Sequence, residues 1–228
     1  MLTYYINLIL FFISLFTLIY FIYKPKKNYA FIFKTITSIL FISTGIICHM
    51  KSPGDNYYFL LIIIGLIFSL FGDMFLALKI NHKDGSLNKY FLYGVVSFSL
   101  THIMYIIAFV HLSFFNFIDL LVALLLAFVA ILVLKSNKNI DFKNMLVPAS
   151  IYSFIICLMT FESIKLVFLL KFNMGTCLLL VGALLFIFSD IVLSFILFNK
   201  HHKKYLSAVN LITYYTGQFL IASTLLFF

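Results

Sequence analysis

Eight long apolar runs, joined by connections too short to hold a domain of their own, constrain this 228-residue chain more than any motif in it. They are Leu2–Tyr23, Tyr29–Met50, Tyr57–Leu78, Tyr90–Leu112, Phe117–Leu134, Asn144–Phe161, Met174–Phe198 and Tyr205–Phe228. A helix crosses the hydrocarbon layer with about 20 residues, and each run is of that order. The expected fold class is therefore an all-α membrane protein, a bundle of eight transmembrane helices in one integral membrane domain over residues 1–228. A 64% hydrophobic content, 10% charged residues and a mean hydropathy of +1.14 exclude a soluble globular domain. The first run lacks a basic leader and a small-residue cleavage site, so it reads as a span of the mature protein. Predicted connections run from 4 residues (113–116) to 12 (162–173), which makes consecutive helices antiparallel neighbours.

Lysine placement gives an independent check, because loops on the cytoplasmic side collect basic residues. The connections after the first, third, fifth and seventh runs hold Lys24, Lys26 and Lys27; Lys79, Lys83 and Lys89; Lys135, Lys138 and Lys143; and Lys200, Lys203 and Lys204. The alternate connections hold only Lys51, Lys165 and Lys171. That asymmetry is in phase with eight spans and predicts both termini outside the cytoplasm, with a bacterial plasma membrane as the expected location. The net charge of +9 is dispersed over short loops, which gives no basic patch for nucleic acid. Cys48, Cys157 and Cys177 have no metal-ligand spacing and read as small apolar helix residues. His201 and His202, in a basic loop without a carboxylate or thiol, read as solvated. Neither a metal nor a cofactor is expected.

A faint internal repeat is present. Gly65 through Asp73 to Leu76 in the third run matches Gly182 through Asp190 to Leu193 in the seventh, with Gly eight residues before Asp and Phe two before it. Lys89-Tyr90 and Lys204-Tyr205 then open the following runs. A parallel four-plus-four duplication would set the two aspartates at similar depth.

Ionisable groups inside a bilayer are costly and mark functional sites by default. Here they are Lys34, Asp73, His102 and Asp190, whereas His49, His111, Asp119 and Glu162 fall near span ends where headgroups and water are expected to satisfy them. At ~1.5 Å per residue from the lysine-rich end, Lys34 and Asp73 lie ~8 Å deep, Asp190 ~12 Å, Tyr214 and Tyr215 ~14–15 Å, His102 ~18 Å and Gln218 ~20 Å. Such a layer reads as a cavity open to the lysine-rich leaflet, against the alternative that these groups only bond helices together. Lys34 also lies near enough to the interface to snorkel. Ser69 and Ser189 lack a nucleophile elbow, which disfavours a serine hydrolase.

Four segments, GLIFSLFGDMFLAL (65–78), YGVVSFSLTHIMYIIAF (93–109), GALLFIFSDIVLSFILF (182–198) and YYTGQFLIA (214–222), together resemble the YhhN-like lysoplasmalogenases. That family has eight membrane helices with a GD helix, an H-x-x-Y helix, an SD helix and a Y-x-x-x-Q last helix. The resemblance implies hydrolysis of the sn-1 vinyl ether of a lysoplasmalogen to a fatty aldehyde and glycerophosphoethanolamine or glycerophosphocholine, with the lysophospholipid taken from the bilayer and water as partners. It carries Asp73, His102 and Asp190 over as catalytic positions, with Tyr105, Ser189, Tyr215 and Gln218 around them. The family's lysine is usually followed by Pro; Lys34 is followed by Thr35.

Vinyl ether cleavage needs an acid to protonate the alkene carbon and a counterion for the oxocarbenium ion. Two nearby carboxyls divide into a proton donor and an ionised partner, a role that Asp73 and Asp190 would fill as a pair. The ionised member would act as carboxylates do in glycoside hydrolysis. His102 is left open between relaying the proton and binding phosphate, Tyr215 and Gln218 would hold glycerol oxygens with Tyr214 a further substrate-binding candidate, and Lys34 and Lys79 would attract the phosphate. A proton-coupled solute carrier uses similar intramembrane groups, but near midspan the chain lacks the helix breaks such carriers favour, Pro148 lying in the first turns of its run. A hydrolase acting on another ether lipid or lysolipid is the other alternative, and the sequence does not fix the oligomeric state.

Overall fold

The computed structural model of the chain describes residues 2–24, 27–78, 89–199 and 203–228. Lys26, Lys79, Lys83, Lys200, His201 and His202, which entered the loop and charge readings, lie outside the described residues. The described chain forms eight α-helices: α1 (Leu2–Ile22), α2 (Lys27–Lys51), α3 (Asn56–Ala77), α4 (Lys89–His111), α5 (Phe117–Ser136), α6 (Leu146–Leu169), α7 (Met174–Phe198) and α8 (Tyr205–Ser223). Seven are long and apolar enough to cross a membrane, so the chain is a multi-pass membrane protein. The eighth, α8, carries Asn210, Thr213, Tyr214, Tyr215 and Gln218 and packs mainly against α7 and α2, with smaller contacts to α1 and α3. Its polar side chains Asn210, Tyr214, Tyr215 and Gln218 find partners on neighbouring helices.

Three helix starts on the lysine-poor end are capped by side chains, as a first turn of orphan backbone donors requires. Asp55 accepts from the backbone N–H groups of Tyr57 and Tyr58, and reciprocal capping boxes link Asn116 with Asp119 and Asn173 with Thr176. The Asp55 carboxylate lies below its usual titration range, held there first by the Tyr58 N–H and then by His111, whose Nε2 is 2.7 Å away.

Six helices close a ring in the order α2, α3, α4, α6, α7, α8, with α1 outside against α2 and α8 and α5 outside against α6. The neighbour pattern repeats after four helices: α1 on α2 corresponds to α5 on α6, the pair α3–α4 to α7–α8, and α4 on α6 to α8 on α2. Glycines set the same close approach in both halves. A Cβ on Gly65 would meet Tyr105 at 2.5 Å and the carbonyl oxygen of Thr101 at 3.3 Å; one on Gly182 would meet Ile221 at 2.8 Å and the carbonyl oxygen of Gly217 at 3.0 Å. The next residues along, His102 in α4 and Gln218 in α8, therefore stand at matching heights. Gly65→Ala is expected to destabilise the fold by about 1–3 kcal/mol, read as a lower thermal midpoint in detergent, because the rigid Tyr105 ring must move.

Three expectations, about neighbours, boundaries and burial, are corrected. α4 packs against α6, not against its successor α5. Ser97 and Thr101 of α4 bond backbone oxygens of α3, and His102 faces Tyr152 of α6, whereas α5 is apolar through most of its length and is served by lipid. α6 continues to Leu169 instead of stopping at Phe161. Glu162 and Lys165 do not end it because they lie one turn apart and pair, Nζ to Oε2, at 2.6 Å. Asp119 and Glu162 are not bathed by headgroups either: both are buried, and Lys165 reaches each of them at 2.6 Å, pinning the start of α5 to the end of α6.

Candidate active site

The polar residues singled out in the sequence fall into two networks at corresponding places in the two halves. In the first, Asp73 of α3 is 1% exposed and fully engaged. Lys34 Nζ lies 3.1 Å from Oδ1, Ser38 donates to Oδ2 at 2.6 Å, and the hydroxyls of Tyr214 and Tyr215 reach the same oxygen at 2.8 and 3.2 Å. The network continues through Ser69, which bonds Tyr214 at 2.7 Å and accepts from Gln218 Nε2 at 2.7 Å; Tyr105 in turn donates to Gln218 Oε1 at 2.7 Å. Lys34, Asp73, Tyr105, Tyr214, Tyr215 and Gln218 are thus brought together. Lys34 turns inward to a carboxylate instead of outward to a headgroup.

Asp190 of α7 stands in the second network with different partners. Tyr152 of α6 donates to Oδ2 at 2.5 Å, and Tyr152 also meets His102 Nε2 at 3.0 Å. His102 Nδ1 faces Met159 Sδ at 3.2 Å. No lysine pairs with Asp190 among the described residues. Tyr152 holds the place in α6 that Lys34 holds in α2, so the duplicated position carries an ion pair in one half and a neutral hydroxyl in the other.

The expected carboxyl pair does not form. Phe98 and Phe186 stand between the networks: the Phe186 ring lies 5.3 Å from Tyr214 on one side and 4.5 Å from His102 on the other, and Phe98 packs edge-on to Tyr214 at 5.8 Å. Ser189 belongs to neither network, since it bonds the carbonyl oxygen of Phe186 within its own helix.

The second network borders open space. A cavity of about 120 Å³ lies among α4, α5, α6 and α7, with Asp190 and Tyr152 in its wall. Ala149, Ser153 and Cys157, one turn apart on α6, form a low floor, and Ala130, Ile131 and Leu134 of α5 form the outer wall. Phe91, Phe142, Met145 and Phe198 cluster at the lysine-rich end, where the backbone N–H of Asp141 donates to the carbonyl oxygen of Phe198 at 2.9 Å. The lining is apolar apart from Asp190, Tyr152, Ser153 and Ser194. Sequence reading missed Tyr152; the available signal is a tyrosine in the interior of an apolar run, away from the interface where such side chains usually sit. It also missed Ser38, which nothing in its local sequence distinguishes, and took up Ser69 only to set aside a serine hydrolase. Among the described residues, no three His, Cys, Asp or Glu side chains converge as metal ligands would.

The fold and the two networks define a polytopic helical membrane protein with a carboxyl group at corresponding places in its two halves, Asp73 buried and Asp190 in the cavity wall. The chain belongs to the YhhN family, whose profile matches residues 29–225 and so covers the whole ring and α5. Neither a curated protein nor a solved structure matches it.

Proposed function

We propose that this protein is an alkenyl ether hydrolase acting on lysoplasmalogens, with Asp190 as the acid. One observation carries the reading: an acid held by a single tyrosine hydroxyl, with no cation beside it among the described residues, in the wall of an apolar cavity. An unpaired charge in such a wall is costly, so Asp190 enters the reaction neutral. Its proton passes to the second carbon of the alkenyl chain. The π electrons form the new C–H bond, and a lone pair on the ether oxygen closes the oxocarbenium ion. The carboxylate left behind is then its counterion. Water adds to the first carbon and returns a proton to Asp190; the hemiacetal divides into aldehyde and glycerol alcohol. One carboxyl completes the cycle, and Asp73, already paired with Lys34, serves as a fixed charge that ties α2, α3 and α8 together.

Family membership and the apolar lining support the lipid substrate. In this reading the single chain slips sideways between α5 and α7, whose walls flank the α6 floor. The lysine-rich end faces the cytoplasm, and the headgroup stays there. Ser153→Leu, which pushes a branched side chain into the cavity, is expected to raise KM about tenfold or more with little loss of stability. The test of the function is release of fatty aldehyde from lysoplasmenylethanolamine by purified protein in detergent, beside the saturated 1-alkyl analogue. Release from the alkenyl lipid alone is the expected result. Equal release from both lipids, or none from either, overturns the proposal.

A further inference from the structure

The geometry points to Tyr152 as the positioning residue of Asp190, with His102 acting through it; this rests on the reading of Asp190 as the acid. A tyrosine hydroxyl has one hydrogen to give. Tyr152 lies between two partners, Asp190 Oδ2 at 2.5 Å and His102 Nε2 at 3.0 Å. With its hydrogen committed to the carboxyl oxygen, the tyrosine oxygen must accept from His102, so the imidazole hydrogen sits on Nε2. The surroundings of the other ring nitrogen agree: Nδ1 faces the thioether of Met159, a weak acceptor that would hold a hydrogen poorly. The line therefore runs in one direction, from His102 N–H to Tyr152 O–H to Asp190 Oδ2.

This direction has a catalytic consequence. Oδ2 is occupied, so Oδ1 is the oxygen left to carry the acid proton. When that proton moves to the alkenyl carbon, negative charge develops on the carboxyl, and a hydrogen bond to a charged acceptor is roughly twice as strong as one between neutral groups. Tyr152 thus binds the transition state more tightly than the ground state, and His102 reinforces it by polarising the hydroxyl. Both residues keep their own protons throughout. Neither is a metal ligand or a phosphate site in this arrangement, since each is spent on its neighbour.

The corresponding groups in the other half do not repeat the line. Lys34 stands in place of Tyr152 and Gln218 in place of His102, and Gln218 is engaged with Tyr105 and Ser69. Only one half is arranged to release a proton.

The test compares wild type, Tyr152→Phe, His102→Leu and the double variant in the aldehyde-release assay, each checked for a monodisperse elution peak and an unchanged thermal midpoint. Tyr152→Phe is expected to lower kcat by about 10–100-fold with KM unchanged. His102→Leu lowers kcat less, and the double variant is no slower than Tyr152→Phe alone, because the histidine acts through the lost hydroxyl. Wild-type kcat in Tyr152→Phe, or losses that multiply in the double variant, overturns the inference while leaving the hydrolase reading intact. A wild-type protein that releases no aldehyde removes that reading and the inference with it. Should Tyr152→Phe not fold, 3-fluorotyrosine at position 152 keeps the hydroxyl and changes its donor strength: altered kcat at constant KM is expected, and an unaltered kcat overturns the inference.

Discussion

Asp190→Asn is expected to lower kcat for aldehyde release by about 10³-fold or more while leaving the protein folded. The substitution changes little else. Asparagine has the same shape, its amide oxygen still accepts from Tyr152, and the apolar cavity wall is relieved of an ionisable group. What is lost is the carboxyl proton in the cavity wall. Because Asp190 has no cation partner among the described residues, its removal leaves no orphaned charge behind, so the thermal midpoint should hold or rise. Activity lost with stability kept is the signature that separates an acid from a structural carboxyl. Turnover measured on monodisperse protein beside its melting curve checks it.

Lys34→Met is expected to give the opposite signature, a loss of about 3–5 kcal/mol in stability from stranding Asp73 as a buried unpaired carboxylate. Asp73 is 1% exposed, closes α3's buried face toward its C-terminal end and cannot move to water. The hydroxyls of Ser38, Tyr214 and Tyr215 remain as donors, which places the effect toward the lower end of that range. Asp73→Asn should cost less, because a released lysine extends its flexible stem toward the interface. Combining the two substitutions should recover part of the Lys34→Met loss, since neither charge is then left without its partner. Thermal midpoints of the three variants in one detergent decide this; a Lys34→Met protein as stable as wild type contradicts a structural role for the pair.

Much of the architecture was legible because membrane spans are written in consecutive apolar residues. Gly65 to Asp73 against Gly182 to Asp190 exposed the repeat, and the ring of helices follows the same four-plus-four order. The end of α6 was not legible: Glu162 and Lys165 look like a loop until their pairing with Asp119 is seen, and that partner lies on another helix. Capping boxes at Asn116 and Asn173 mark starts well, whereas no comparable signal marks where a pair of buried charges lets a helix continue.

The site was half legible for a related reason. Depth along each span drew attention to Asp73, Asp190 and His102, but depth is one coordinate, and two groups at one level need not face each other. Phe98 and Phe186, indistinguishable in sequence from any other phenylalanine of this chain, are what separate the two aspartates. Tyr152 escaped notice because a phenol in an apolar run looks like packing until its hydroxyl has an address. The duplication explains how both networks arose at the same level, and the exchange of lysine for tyrosine explains how they came to differ.

The most direct test of Asp190 as an acid that protonates carbon is hydrolysis of lysoplasmenylethanolamine in D₂O, with the aldehyde reduced to alcohol as it forms and then weighed by mass spectrometry. One deuterium is expected on the second carbon of the released chain, formed at a rate that collapses in Asp190→Asn. Aldehyde carrying no deuterium at that carbon, or the same labelled product at the wild-type rate from Asp190→Asn, would contradict it.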